Sequence, residues 1–161
     1  MKPFVFSLDR IRDYRNQVLD TEKNILLDLH KKLYAIEDRI ELSKHFRQVK
    51  QGEMQEKQRQ GMTMRELEEC KFYLENTRHQ LEALEEERIL AALDVERQRV
   101  IVVKASQDVS SLDKLEERQL EDYHFLEARD NEKTIQEHVI HSLVYTKENN
   151  AGLSHKPAVN G

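Results

Sequence analysis

Between Pro3 and Pro157 the chain contains no proline. Proline removes a backbone donor and collides with the preceding helical turn, so it is the residue that most reliably ends a helix. A stretch this long without one is free to form helices of many turns. Charged residues make up 35% of the chain and aromatic residues 6%, with no Trp. That leaves too little apolar mass for a compact globular core and points to long helices. Interruptions must therefore come from glycine. Gly52 and Gly61 bracket the polar stretch EMQEKQRQ, and Thr63 opens a helix start directly after it. The Thr63 hydroxyl is placed to accept from the Glu66 amide while Glu66 reaches back, and Met62 and Leu67 stand where a hydrophobic staple needs them. The chain is expected to reverse here, with helix one over residues 7–58, a turn over 59–63 and helix two over 64–145.

Apolar periodicity supports this division. Before the turn, Leu8, Ile11, Val18, Ile25, Leu26, Leu29, Leu33, Ile36 and Ile40 are spaced by sums of three and four, which defines one helical stripe. Its phase slips near Glu22, where Val18, Glu22 and Leu26 take two steps of four and suggest a stutter. After the turn the heptad is cleaner. Leu67, Cys70, Leu74, Thr77, Leu81, Leu84, Arg88, Ala91, Val95, Gln98, Val102, Ala105, Val109 and Leu112 alternate steps of three and four, and eleven of the fourteen are apolar, enough for a coiled-coil seam.

Two such stripes joined by a short turn bury each other most economically as an antiparallel hairpin. The expected fold is all-α: a two-helix antiparallel coiled coil forming a single domain over residues 1–145. Counting back from the turn places Leu8 opposite Leu112 to Leu115, so helix two overruns helix one by roughly 30 residues, or about 45 Å at the helical rise. The β-branched run Val100 to Val103, followed by Ser106, Asp108, Ser110 and Ser111, suggests a kink or break near 106–111. The stripe continues through Leu115, Leu120, Tyr123, Leu126, Ile135, Val139 and Leu143. Periodicity is lost in the tail, residues 146–161, which is expected to be disordered.

Several function classes are excluded at this level. A net charge of -5 disfavours a phosphate-binding surface, so nucleic acid is not an expected partner. Uninterrupted apolar runs such as Val100 to Val103 fall far short of the roughly 20 residues a bilayer demands, and the opening residues lack the apolar core of a secretory signal. No direct membrane insertion is expected. Cys70 is the only cysteine, which fits a cytoplasmic protein and a small apolar seam residue. His138 and His141 stand three apart beside Glu137, but without a third ligand they read as surface histidines. The Glu85 to Glu87 run reads as a solvated face. No catalytic constellation and no phosphate-binding GxxxxGK[ST] loop is present, so neither enzymatic activity nor a cofactor is expected.

The opening FVFSLDRIRDYR, with Phe4, Phe6, Leu8 and the series Arg10, Arg12, Arg15, resembles the start of the flagellar export protein FliJ family. The segment LDKLEERQLEDYHFLEARDNEKTIQE, Leu112 to Glu137, is similar to that family's second helix. The resemblance covers most of residues 1–145. It departs from the family's pattern at the C-terminus, where IQEHVIHSLV is followed by a polar tail. It implies a bacterial component of the flagellar type III export apparatus, shaped like the stalk subunit of rotary ATP synthases. Such a stalk would couple the hexameric flagellar export ATPase to the cytoplasmic domain of the membrane export gate. It would also cycle export chaperones, and would lie in the cytoplasm at the inner membrane through those partners.

Candidate contact residues follow from side-chain chemistry, since interfaces concentrate energy in a few large groups. Near the turn these are Phe46, Val49, Met54, Phe72 and Tyr73, and the resemblance directs that tip to the gate. The plainer reading is that Phe46, Val49 and Phe72 cap the hairpin's own end. At the opposite end Arg10, Arg12, Tyr14 and Arg15, with Tyr123 and Phe125 on the overhang, are candidates for the ATPase. The plainer reading there is solvated charge with half-buried aromatics. The protein is expected to be monomeric alone. Competing readings are a generic parallel homodimeric scaffold and a membrane-surface helix drawing on the basic N-terminal residues.

Overall fold

The computed structural model describes residues 2–152. They form two helices, α1 (Asp9–Gln60, 52 residues) and α2 (Met64–Gly152, 89 residues), with no strand among the described residues. The two helices pack on each other as a helical hairpin. The chain divides into two compact units, one of residues Ile11–Ser110 and one of Met1–Arg10 with Ser111–Gly161.

In the unit Ile11–Ser110 the reversal is built by local chemistry. Gly52 is carried inside α1, and the chain leaves the helix only at Gly61, whose amide donates to the Lys57 carbonyl at 3.0 Å. Gly61 has φ = +109°, a conformation that costs an L side chain about 1 kcal/mol or more and that glycine adopts freely. A Cβ added there would meet nothing within 4 Å, so the cost of Gly61→Ala is conformational alone. That variant is expected to lose about 1 kcal/mol in chemical denaturation, whereas Gly52→Ala, inside the helix, should gain stability. The capping box forms as the sequence predicts: Thr63 N–H donates to Glu66 Oε2 at 3.1 Å, and Glu66 N–H donates to Thr63 Oγ1 at 3.3 Å. Met62 and Leu67 are both half-buried beside it.

The seam on α2 follows the expected heptad. All fourteen positions from Leu67 to Leu112 are buried or half-buried, and the eight buried residues of α2 all belong to them. On α1 the phase differs from the sequence reading. The inward line is Leu19, Glu22, Leu26, Leu29, Leu33, Ile36, Ile40, Ser43, Arg47, Lys50 and Met54, all buried or half-buried. It alternates steps of three and four with no stutter. Ile11 and Ile25 are exposed instead. The slip at Glu22 is an ordinary seam position held by a polar residue. The Gln98 side-chain amide donates to the Glu22 carbonyl at 3.1 Å and to the Glu22 carboxylate. This polar layer lies between two apolar clusters. One joins Ile36 and Ile40 to Leu84 and Ala91, with Leu33 and Leu81 against it; the other joins Leu19 to Ala105 and Val109, with Val102.

Charges line the seam's edges. Arg39 reaches Glu87 at 3.5 Å and Arg15 reaches Asp108 at 3.6 Å, exposed pairs that favour this register more than they stabilise it. Arg88 occupies a seam position and is half-buried, its guanidinium turned back to Glu85 at 2.6 Å. That hydrogen bond holds the Glu85 carboxyl below its ordinary pKa. The pair's contribution is therefore present above the unfolded carboxylate pKa and is lost as the pH falls below it through the lowered folded value.

In the second unit an extended strap, residues 2–6, precedes α1. Phe6 is buried and its carbonyl accepts from the Asp9 amide at 3.3 Å, which closes the turn into the helix. The Phe4 ring tilts on Tyr123 at 5.7 Å, and the Tyr123 hydroxyl donates to the Lys2 carbonyl at 2.9 Å. Leu112, Leu115, Gln119, Tyr123 and Glu127 of α2 are half-buried, and every described residue after Glu127 is exposed. Residues 106–111 are helical throughout, so the helix does not break there: its own hydrogen bonds and the seam residues Ala105 and Val109 outweigh the weak propensities of the serines. Residues 146–152, read from the sequence as tail, continue α2. The rest of the expected disordered tail, 153–161, lies outside the described residues.

Candidate partner-binding surfaces

Near the turn the five candidate residues separate. Phe46 and Tyr73 come together across the two helices, flanking a shallow depression with Ser43, Asn76, Thr77 and Gln80. Lys50 Nζ lies 5.4 Å from the centre of the Tyr73 ring, and the Phe46 ring tilts on His45 at 6.2 Å. Both aromatics flank the seam without entering it, because the inward positions beside them are Ser43 and Thr77. Met54 is half-buried on the seam line itself. Val49 is exposed, and Phe72, on the outward face of α2, is 69% exposed. Phe72 therefore stands apart from the Phe46 and Tyr73 pair and does not cap the hairpin. Met64, also exposed, escaped the sequence reading; it opens α2 one residue after the cap, too early to reach the seam.

The candidates near the N-terminus are also used unequally. Within the unit Ile11–Ser110, Tyr14 is exposed, Arg12 is half-buried, and Arg15 is engaged with Asp108. Within the other unit Arg10 is exposed, and Tyr123 is committed to the strap through Phe4 and Lys2. Phe125 is exposed with the Arg129 guanidinium 5.9 Å from its ring centre. A Tyr whose ring and hydroxyl are both satisfied within the fold is poorly disposed to anchor a partner, whereas Tyr14 and Phe125 keep their surfaces available.

A further surface lies on α2 beyond the strap. Ile135, Val139 and Leu143 follow one another at steps of four, with Ile140 and Val144 beside them, and all five are more than half exposed. Ile140, Leu143 and Val144 line a shallow groove with Thr146, Lys147 and Asn150. Glu137, His138 and His141 lie with Thr134 on the opposite side of the helix. The segment is thus amphipathic with its apolar side uncovered in its own unit. The signal was present in the sequence as a continuation of the stripe, but a stripe alone does not distinguish a covered face from an open one. Among the described residues, no group of three His, Cys, Asp or Glu stands close enough to hold a metal ion, and no helix is long and apolar enough to cross a membrane.

No match was found among curated proteins or among solved structures. The family model described as flagellar FliJ protein matches residues 4–144, a range that takes in Phe4 and Phe6 of the strap, both sides of the capped turn and the uncovered apolar segment of α2. The chain accordingly belongs to the flagellar FliJ protein family and has a role in flagellar export.

Proposed function

We propose that this chain is a non-catalytic coupling element of the export apparatus, a coiled-coil stalk that engages the export ATPase ring and the cytoplasmic domain of the export gate and escorts export chaperones. The observation that supports this reading is the uncovered apolar side of α2 at Ile135, Val139, Ile140, Leu143 and Val144, all within the span the family model matches. Five large apolar side chains in solvent on one short segment are costly unless a partner covers them. The segment, with Phe125 of the same unit, is the surface assigned to the ATPase, and Tyr14 is a separate candidate contact in the unit Ile11–Ser110. The Phe46 and Tyr73 pair at the hairpin tip, with Val49, Met54 and Phe72 near it, is the surface assigned to the gate. Localisation at the inner membrane then comes through these partners.

The test is sedimentation of the purified chain with the cognate ATPase and, separately, with the gate's cytoplasmic domain. Val139→Asp with Leu143→Asp should weaken association with the ATPase at least about ten-fold, leave far-UV helicity in place and abolish swarming. Phe46→Ala with Tyr73→Ala should do the same for the gate domain and leave the ATPase interaction unchanged. If both pairs of substitutions leave both associations intact, the assignment is wrong.

A further inference from the structure

The strap that precedes α1 belongs to neither helix, and its burial alternates. Phe4 is half-buried and Phe6 is 6% exposed, whereas Pro3, Val5 and Ser7 are exposed. That is the period of an extended chain with one side turned to a surface. Along α2, in the same unit, Leu115, Gln119 and Tyr123 are half-buried at successive steps of four. Two residues of extended chain advance about 6.6 Å and four residues of helix about 6 Å, so the strap and this line stay in step. With the Phe4 ring on Tyr123, Phe6 comes level with Gln119.

The groups that α2 reads on the strap are general ones. Tyr123 sets its ring against Phe4 and donates its hydroxyl to the main-chain carbonyl two residues earlier, that of Lys2. Any extended segment with a large apolar side chain two residues after a carbonyl presents the same pair, and main-chain recognition with pockets for alternate side chains is how extended peptides are commonly bound. The hold on the strap is also light. Its hydrogen bond to Tyr123 is exposed, Val5 is 78% exposed, and Phe6 is its one fully buried side chain. Lifting the strap therefore requires far less than unfolding either helix.

We propose that the strap is an autoinhibitory placeholder, and that the line Leu115, Gln119 and Tyr123 is a docking site for an extended segment of a partner protein with aromatic or aliphatic side chains at alternate positions. The strap itself fixes the occupant, because it is a ligand of that chemistry already seated. Tethered through a short turn, it competes at an effective concentration in the millimolar range, so the partner segment engages only as the strap is displaced. The inference does not depend on the assignment of the ATPase and gate surfaces, which use other residues.

The probe is a fluorescent peptide of residues 2–8, KPFVFSL, titrated by anisotropy against the full chain. Phe4→Asp with Phe6→Asp sets two carboxylates beside an α2 that already carries Glu116 and Glu127 there, both half-buried, and should free the site. Helicity should be retained, since neither residue lies in a helix. This variant should bind the peptide at least about ten-fold more tightly than the wild type, whose own strap competes. Adding Tyr123→Phe should weaken binding about five-fold through the lost hydrogen bond, and adding Tyr123→Ala should abolish it. A peptide of the same composition with its two phenylalanines adjacent should not bind. A strap variant that binds KPFVFSL no better than the wild type does, or that binds the two peptides alike, overturns the proposal. A concentration-dependent dimer of the wild type that the strap substitutions abolish would make a second copy the occupant and overturn the assignment to a partner protein.

Discussion

Ile40→Ala should lower the unfolding free energy of the hairpin by about 3 kcal/mol, measured by urea titration followed at 222 nm. Ile40 is the most buried side chain among those described, at 4% exposure, and it joins Ile36, Leu84 and Ala91 in one of the two buried clusters among the described residues. A two-helix hairpin has no third layer to close over a cavity, and so small a core leaves few other contacts to take up the loss. The neighbouring Leu42→Ala is the control. Leu42 lies two residues on but is mostly exposed, and its loss should stay within about 0.5 kcal/mol. Equal losses at the two positions would mean that the α1 seam does not run through Ile36 and Ile40.

The second large effect concerns the polar layer and depends on which groups are removed together. Gln98→Leu alone takes the amide from a half-buried Glu22 and should cost about 1–3 kcal/mol, because the carboxylate loses its donor without gaining water in full. Glu22→Leu with Gln98→Leu replaces both partners by apolar groups facing each other and should recover that loss and add stability over the wild type. The double variant should fold to a hairpin with weaker preference for its register. With the layer gone, the apolar clusters on either side merge into one uniform stripe that tolerates a one-heptad slip. Cysteine pairs placed across the present register, at the positions of Arg39 and Glu87, would report this. Efficient cross-linking in the wild type and poor cross-linking in the double variant is the expected result. A double variant less stable than Gln98→Leu would show that the pair contributes net stability and not register alone.

These two sites also mark where the sequence was legible. The α2 seam could be read in full, because eleven apolar residues in strict heptad order leave one solution, and the Thr63 and Glu66 box announces itself by local spacing. The α1 seam could not. Ile11, Val18 and Ile25 form an apolar line that competes with the true one through Leu19, and the deciding residue, Glu22, is polar. Only its partner Gln98, 76 positions away, makes an inward glutamate reasonable, and periodicity within one helix carries no information about that partner. The helix passes unbroken through 106–111 for a related reason, since intrinsic propensity is a small term beside packing along Ala105 and Val109. At the candidate surfaces, residue type identified Phe46, Phe72 and Tyr73. It could not show that Tyr73 and Phe46 line one depression while Phe72 turns outward, nor that Tyr123 is already taken by the strap.

The seam residues that α1 contributes near the turn are Ser43, Arg47, Lys50 and Met54, and neither buried cluster includes any residue of that end. The hairpin is therefore graded along its length: firmly packed around Ile40 and Leu84, and held near the turn mainly by helix propensity, the capping box and Cys70 with Thr77. Local opening at that end breaks few apolar contacts, so it occurs far below the free energy of global unfolding. The tip can part and re-form its two helices without disturbing the packing behind it. An end of that kind adapts its shape to whatever it touches, and the aromatic pair at Phe46 and Tyr73 sits on the boundary between the part that yields and the part that does not.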